Sequence, residues 1–124
     1  MRQKTRPRHL TDFEKRALAP YIPRVDLDAA LLHDGRVPVY LGGRFAGVTR
    51  GNHIYLRPGA YDPLNPVGLA LLGHELVHVG QYRNGMTWLH YLWSVRLGYS
   101  GSAYEQAAVA TQAKIHADLT RSRT

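Results

Sequence analysis

The sequence predicts an α+β domain: a small, mostly antiparallel sheet packed against one central helix and two further helices toward the C-terminus. Three observations point there. Between Leu27 and Leu56, short apolar runs alternate with Asp34-Gly35, Gly42-Gly43 and Gly51-Asn52, dipeptides that turn a hairpin. From Pro66 to Asn84, apolar residues recur at three- and four-residue spacing, the period of a helix. An alanine-rich stretch from about Ser102 to Leu119 keeps the same period.

Taken in order, residues 1–10 read as a basic, polar N-terminal arm. Thr11-Asp-Phe-Glu14 has the form of a capping box, so a short helix from Asp12 to Leu18 should follow, stopped by Pro20 and Pro23. Strands are expected at Leu31–His33, Val37–Leu41, Phe45–Thr49 and His53–Leu56, with Pro38 marking an edge or a bulge. Asn65 can cap the central helix, Pro66 suits its first position, and Gly85 supplies its stop. A second helix is expected from about Thr87 to Leu97. The last, from about Ser102, carries Ala108, Val109, Ile115 and Leu119 on one face, interrupted by Glu105, Gln112 and His116. Residues 11–119 then form one domain and 120–124 a polar tail.

Composition narrows the function classes. With 44% hydrophobic and 20% charged residues, the chain fits a soluble globular class. It has no cysteine, which excludes disulfides and thiolate metal sites. No apolar stretch follows the basic N-terminus, and the run Val67–Val79 is broken by His74, Glu75 and His78, so neither a secretory signal nor a membrane span is expected. A cytoplasmic location is the resulting expectation. Net charge is +7, and the basic arm could meet nucleic acid. A solvated terminus is the simpler account, since no aromatic interleaving or groove-reading motif accompanies the charge.

The chemistry concentrates in Gly73-His74-Glu75-Leu76-Val77-His78. Residues four apart share a helix face, so His74 and His78 can present two imidazoles to one ion with Glu75 beside them, the H-E-x-x-H zinc arrangement. Leu69, Leu72, Leu76 and Val79 form one apolar stripe, and Val67, Leu71, His74, His78 and Tyr82 form the opposite one. A helix apolar on both sides is interior, and its buried polar groups need partners. A shared metal would satisfy both imidazoles.

A catalytic zinc takes a third protein ligand. Gln81 and Asn84 stand where a metzincin needs Gly and His, so that class is excluded. Downstream of His78 the candidates are His90, Glu105, His116 and Asp118. His116 lies about 16 Å along the helix from Glu105, so the two cannot share an ion. Glu105 is the favoured ligand, although Ser102-Ala-Tyr-Glu105 is also a capping box in which Glu105 would bond the Ser102 amide.

His74-Glu75-Leu-Val-His78, a downstream Glu105, and the strand His53–Leu56 ahead of the helix together resemble a gluzincin zinc metallopeptidase, a minimal one of the minigluzincin type. Gly51-Asn-His-Ile-Tyr-Leu56, Gly73-His-Glu-Leu-Val-His-Val-Gly-Gln-Tyr82 and Tyr104-Glu-Gln-Ala-Ala108 resemble the small bacterial zincin-like domain known as DUF4157. The resemblance covers roughly residues 20–116. It implies a zincin-like fold and a substrate peptide laid along His53, Ile54 and Tyr55 by β-augmentation. Tyr104-Glu-Gln-Ala-Ala108 lacks the Asn and Asp of the thermolysin-type second motif, so the groups supporting the histidines from behind stay unassigned.

The expected activity is hydrolysis of a peptide or protein substrate with one Zn²⁺ per chain on His74, His78 and Glu105, and Glu75 as general base toward a zinc-activated water. Tyr91, Tyr99 and Tyr104 are candidate oxyanion donors, as are His90 and Arg96. Two alternatives stand beside this: an inactive zincin-like binding domain, and a DNA-associated SprT-like factor using the basic arm. The likeness to minimal gluzincins also implies that a terminal segment could fill the cleft of a latent form.

Overall fold

A computed structural model describes residues 6–35, 46–86 and 103–122. Its elements run β1 (Arg8–His9), α1 (Asp12–Leu18), α2 (Arg24–Ala29), β2 (Leu31–Asp34), β3 (Gly47–Arg50), β4 (His53–Leu56), α3 (Pro66–Arg83) and α4 (Ala103–Ser122). The class is the α+β expected. The strand expected at Val37–Leu41 and the helix expected at Thr87–Leu97 lie outside the described residues, as do Tyr91, Tyr99, His90 and Arg96.

The sheet is mixed, with two antiparallel pairings, as expected, and one parallel pairing. Its order is β1-β2-β4-β3. β1 and β2 are antiparallel, β3 and β4 form an antiparallel hairpin, and β2 and β4 run parallel, with Leu32 opposite Ile54. The hairpin turns at Gly51-Asn52, where Gly51 takes a φ of 64°, a left-handed conformation that glycine adopts without a Cβ clash. Because β4 folds back between β3 and β2, it is paired on both sides. Among the described residues β3 is the edge beside α3.

Two segments depart from the sequence reading. Arg8–His9, expected in a loose arm, forms β1. Arg24–Ala29, expected in the approach to the first strand, is α2. Pro23 stands at the N-cap of α2, outside the helix it seemed to forbid.

One apolar core joins the sheet to the helices. Leu32, Ile54 and Leu56 project from the sheet, and Leu72, Leu76 and Val79 meet them from α3. Each leucine taken fully out of water contributes about 1.5–3 kcal/mol. The second stripe of α3 is only partly covered: Val67 is 57% exposed and His78 5%. Asn65 accepts the Val67 amide, so the capping predicted for α3 is present.

Charged groups fasten the periphery. Thr11 and Glu14 form the expected capping box, and the buried Glu14 carboxylate also receives both guanidinium nitrogens of Arg8 and the Tyr61 hydroxyl. Asp26 in α2, also buried, binds the Arg83 guanidinium at the end of α3 at 2.7 and 3.1 Å. Tyr21 donates to Asp118 on α4, which continues to Ser122 through the first residues of the expected tail. Among the described residues no helix is long and apolar enough to cross a membrane.

Candidate metal centre

α3 presents His74 and His78 one turn apart, their ring centroids 5.2 Å from each other and their planes nearly perpendicular. α4 faces them because its buried side, Ala108 and Ile115, rests on α3. Contact is close at Gly73: a Cβ there would overlap Ile115 Cδ1, so the absent side chain admits the partner helix. Most of the other alanines of α4 are exposed, and the close approach depends on Gly73 and Ala108 rather than on the alanine run.

This packing brings Glu105, in the first turn of α4, to both rings. His74 Nε2 lies 3.3 Å from Glu105 Oε1, and His78 Nε2 lies 3.4 Å from Oε2. Ligand atoms from all three residues fall within 4.8 Å of one another. Tetrahedral ligands at about 2.0–2.1 Å from zinc stand about 3.3–3.4 Å apart, so the carboxylate-to-imidazole spacing fits one ion. Two imidazoles and a carboxylate are also the donor types that a thiolate-free zinc site uses. The group can hold a metal ion.

The electrostatics agree. Burial disfavours a charged His74, but the Glu105 hydrogen bond and the nearby Glu75 charge outweigh it and raise its pKa. The negative charge of Glu105 and Glu75 thus favours positive charge at His74. Glu75 is buried at 5% exposure. Burial pushes its carboxyl above the usual range, against the pull of His74, His78 and the Thr49 hydroxyl.

Several contributors carry no motif signal. The amide oxygen of Gln112 lies 2.8 Å from His74 Nδ1, although Gln112 read as a flaw in the buried face. Gln81, which lies in the DUF4157-like stretch but has no role in the sequence reading beyond excluding metzincins, places its amide oxygen 2.7 Å from His78 Nδ1. The Thr49 hydroxyl donates to Glu75 Oε1 at 2.7 Å. Tyr82 donates to the Thr49 carbonyl at 3.3 Å. Spacing could have flagged Gln81 and Tyr82, three and four residues after His78 on the same side of the helix.

Other expected site residues fall elsewhere. His53, Ile54 and Tyr55 cannot accept an added strand, because β2 and β3 flank β4. Ile54 is instead core, and His53 Nδ1 meets His33 Nε2 at 3.0 Å. Tyr104 precedes Glu105, and its carbonyl accepts from the Gln81 amide at 3.0 Å. Asp118 is engaged with Tyr21 and Arg121, and His116 is exposed. Ser102, the capping alternative for Glu105, lies outside the described residues.

A family model, the eCIS core domain, matches residues 25–86, from the start of α2 to just past α3. The chain belongs to the eCIS core domain family. No curated protein and no solved structure matches it. The eCIS core domain is a small domain linked to extracellular contractile injection systems. The matched stretch of this eCIS core domain holds His74, Glu75, His78, Gln81 and the Thr49 strand, while Glu105 and Gln112 come from the helix beyond it.

Proposed function

We propose that this eCIS core domain is a zincin-like zinc hydrolase of peptide bonds, of the minimal gluzincin type that the DUF4157 resemblance implies. The observation that carries the reading is the convergence of two imidazole nitrogens and one carboxylate, at ligand spacing, from two packed helices. His74, His78 and Glu105 would hold the ion and leave a fourth position open. Bound there, zinc supplies a Lewis acid that polarises a carbonyl and acidifies a water.

Glu75 is the base. Its Oε1 is tied down by Thr49, and burial raises the carboxyl's affinity for a proton, which suits a group that takes one from water and returns it to a leaving amine. β3 replaces β4 as the strand beside which substrate extends. The Ala46 carbonyl accepts from the Arg57 amide, so alternation along the ladder turns the amide groups of Gly47 and Thr49 away from β4. An extended peptide paired there would pass close to Glu75, since a Cβ at Gly47 would stand 3.5 Å from Glu75 Oε2. Glycine is required there by the neighbouring strand, since the same Cβ would meet Leu56 Cδ2 at 2.7 Å and the Tyr55 carbonyl at 2.9 Å.

Metal analysis of the full chain and turnover of a mixed peptide library test the reading. Wild type should carry one zinc per chain, Glu105→Ala much less, and Glu75→Gln should keep zinc while losing turnover. Zinc uptake that ignores Glu105→Ala, or undiminished hydrolysis in Glu75→Gln, would overturn it.

A further inference from the structure

Gln81 and Gln112 are each joined to a ring nitrogen that faces away from the proposed ion. Gln81 sits on α3 and Gln112 on α4, so the two reach across the helix pair in opposite directions. The Gln81 amide nitrogen donates to the Tyr104 carbonyl, which decides the orientation of the amide: its oxygen must be the atom facing His78. An amide oxygen only accepts, so His78 Nδ1 carries a proton, and in the neutral ring that a metal ligand requires Nε2 keeps the lone pair. On the other ring, Gln112 Oε1 lies 2.8 Å from His74 Nδ1, where an amide oxygen accepts from an Nδ1 proton; among the described residues Gln112 has no second contact corresponding to that of Gln81 with Tyr104.

Neutral imidazoles in that form direct two lone pairs at the Glu105 carboxylate from 3.3 and 3.4 Å. Three acceptors so disposed repel one another unless a cation or a proton lies among them. The outer contacts therefore prepare the inner space for positive charge.

We propose that Gln81 and Gln112 are the positioning residues of the metal centre, a neutral clasp that presents both imidazoles by Nε2 and fastens α3 to α4 on either side of the ion. The proposal rests on the metal-centre reading above. His74 is held at both ring nitrogens by α4, through Gln112 and Glu105, so its orientation depends on that helix. Gln81 joins His78 to the residue immediately before Glu105. The clasp adds no charge, whereas carboxylates in these positions would make the imidazoles stronger donors and hold the ion harder.

The two glutamines differ in a way that gives a sharp test. Gln112→Glu keeps an acceptor for His74 and adds charge. Gln81→Glu keeps the acceptor for His78 but replaces the donor to Tyr104 with a carboxylate oxygen, setting two acceptors against each other.

The experiment uses the full chain, wild type and the variants Gln81→Ala, Gln112→Ala, Gln81→Glu and Gln112→Glu. Zn²⁺ and Co²⁺ affinities are measured by competition with a chromophoric chelator. Long-range ¹H–¹⁵N spectra of the zinc-loaded protein report which ring nitrogen bears the proton, and melting of the metal-free protein reports folding. Each alanine variant should lose about 10- to 100-fold in affinity with the metal-free melting temperature little changed. Gln112→Glu should bind more tightly than wild type, and Gln81→Glu should not. Wild-type spectra should show both protons on Nδ1. Equal affinities in wild type and both alanine variants, or protons on Nε2, would overturn the clasp while leaving the metal centre standing. Losses matched by unfolding of the metal-free variants, with Gln112→Glu no tighter than wild type, would also overturn it by reducing the glutamines to packing. Wild type that takes up neither ion would remove the centre itself and the clasp with it.

Discussion

Thr49 shows how much of the site depends on residues with no chemistry of their own. Its hydroxyl sits 2.7 Å from Glu75 Oε1 and 3.1 Å from the Glu75 carbonyl; its single proton goes to the nearer, charged acceptor. A hydrogen bond to a charged group is worth about 1.5–3 kcal/mol, so Thr49→Val should cut peptide turnover by about 10- to 100-fold. Zinc content should stay at the wild-type level, and Thr49→Ser should restore most of the rate. Loss of zinc in Thr49→Val would show that the hydroxyl supports the fold of α3 and not the base. His74, Glu75 and His78 were legible because helix geometry alone places them together. Thr49, Gln81 and Gln112 were not, since a threonine in a strand or a glutamine in a helix has dozens of ordinary explanations. Only a shared neighbour gives them meaning.

Among elements, the pairing of α3 with α4 decides whether a third ligand arrives. Gly73 precedes the first histidine directly, and the space its hydrogen leaves is filled by the fully buried Ile115. Gly73→Ala should cost about 1–3 kcal/mol by overpacking and weaken zinc binding by moving Glu105. Ile115→Val removes the overlapping methyl, so the double variant should be less destabilised than the two single losses added together, read by urea unfolding. Strict additivity would place the strain elsewhere. The helices themselves were visible in advance: α1 from its capping box, α3 from Asn65, Pro66 and its period, α4 from its apolar spacing. α2 was hidden by flanking prolines that read as breakers, although Pro23 takes the cap position where a missing amide costs little. Strand existence was legible at His53–Leu56, but strand order was not. Period-2 alternation marks which side chains face the core; it carries no information on which neighbour lies alongside, and so β4 was mistaken for an edge.

At the scale of the whole molecule, Arg8 and His9 of the basic N-terminal stretch belong to the fold. Arg8 contributes a strand residue and a guanidinium to the buried Glu14, where Tyr61 also donates at 2.6 Å. Burial pushes Glu14 up, but Arg8, Tyr61 and the Thr11 amide outweigh it and hold its carboxyl below the ordinary range. A carboxyl whose pKa is lower when folded adds stability that is complete above its unfolded value of about 4.5 and fades as pH falls through the lowered one. Glu14→Gln should therefore flatten the acid limb of the stability–pH curve. At neutral pH, Arg8→Ala should cost about 1–3 kcal/mol, below the range for a fully buried pair because water already reaches the 40% exposed arginine. Urea titrations from pH 7 down to acid check both, and a parallel acid limb in Glu14→Gln would clear this carboxyl of the effect. Charge counting along the chain favoured a solvated terminus; the acid that binds the Arg8 guanidinium lies six residues away.

The insertion of β4 between two strands that precede it also orders events as the chain folds. β3 and β4 can zip from a two-residue turn, but Leu31 meets His53 only after the intervening loop has closed. Docking of the hairpin onto β2 therefore carries the larger loop-closure cost, and until it happens the future platform beneath α3 is half built.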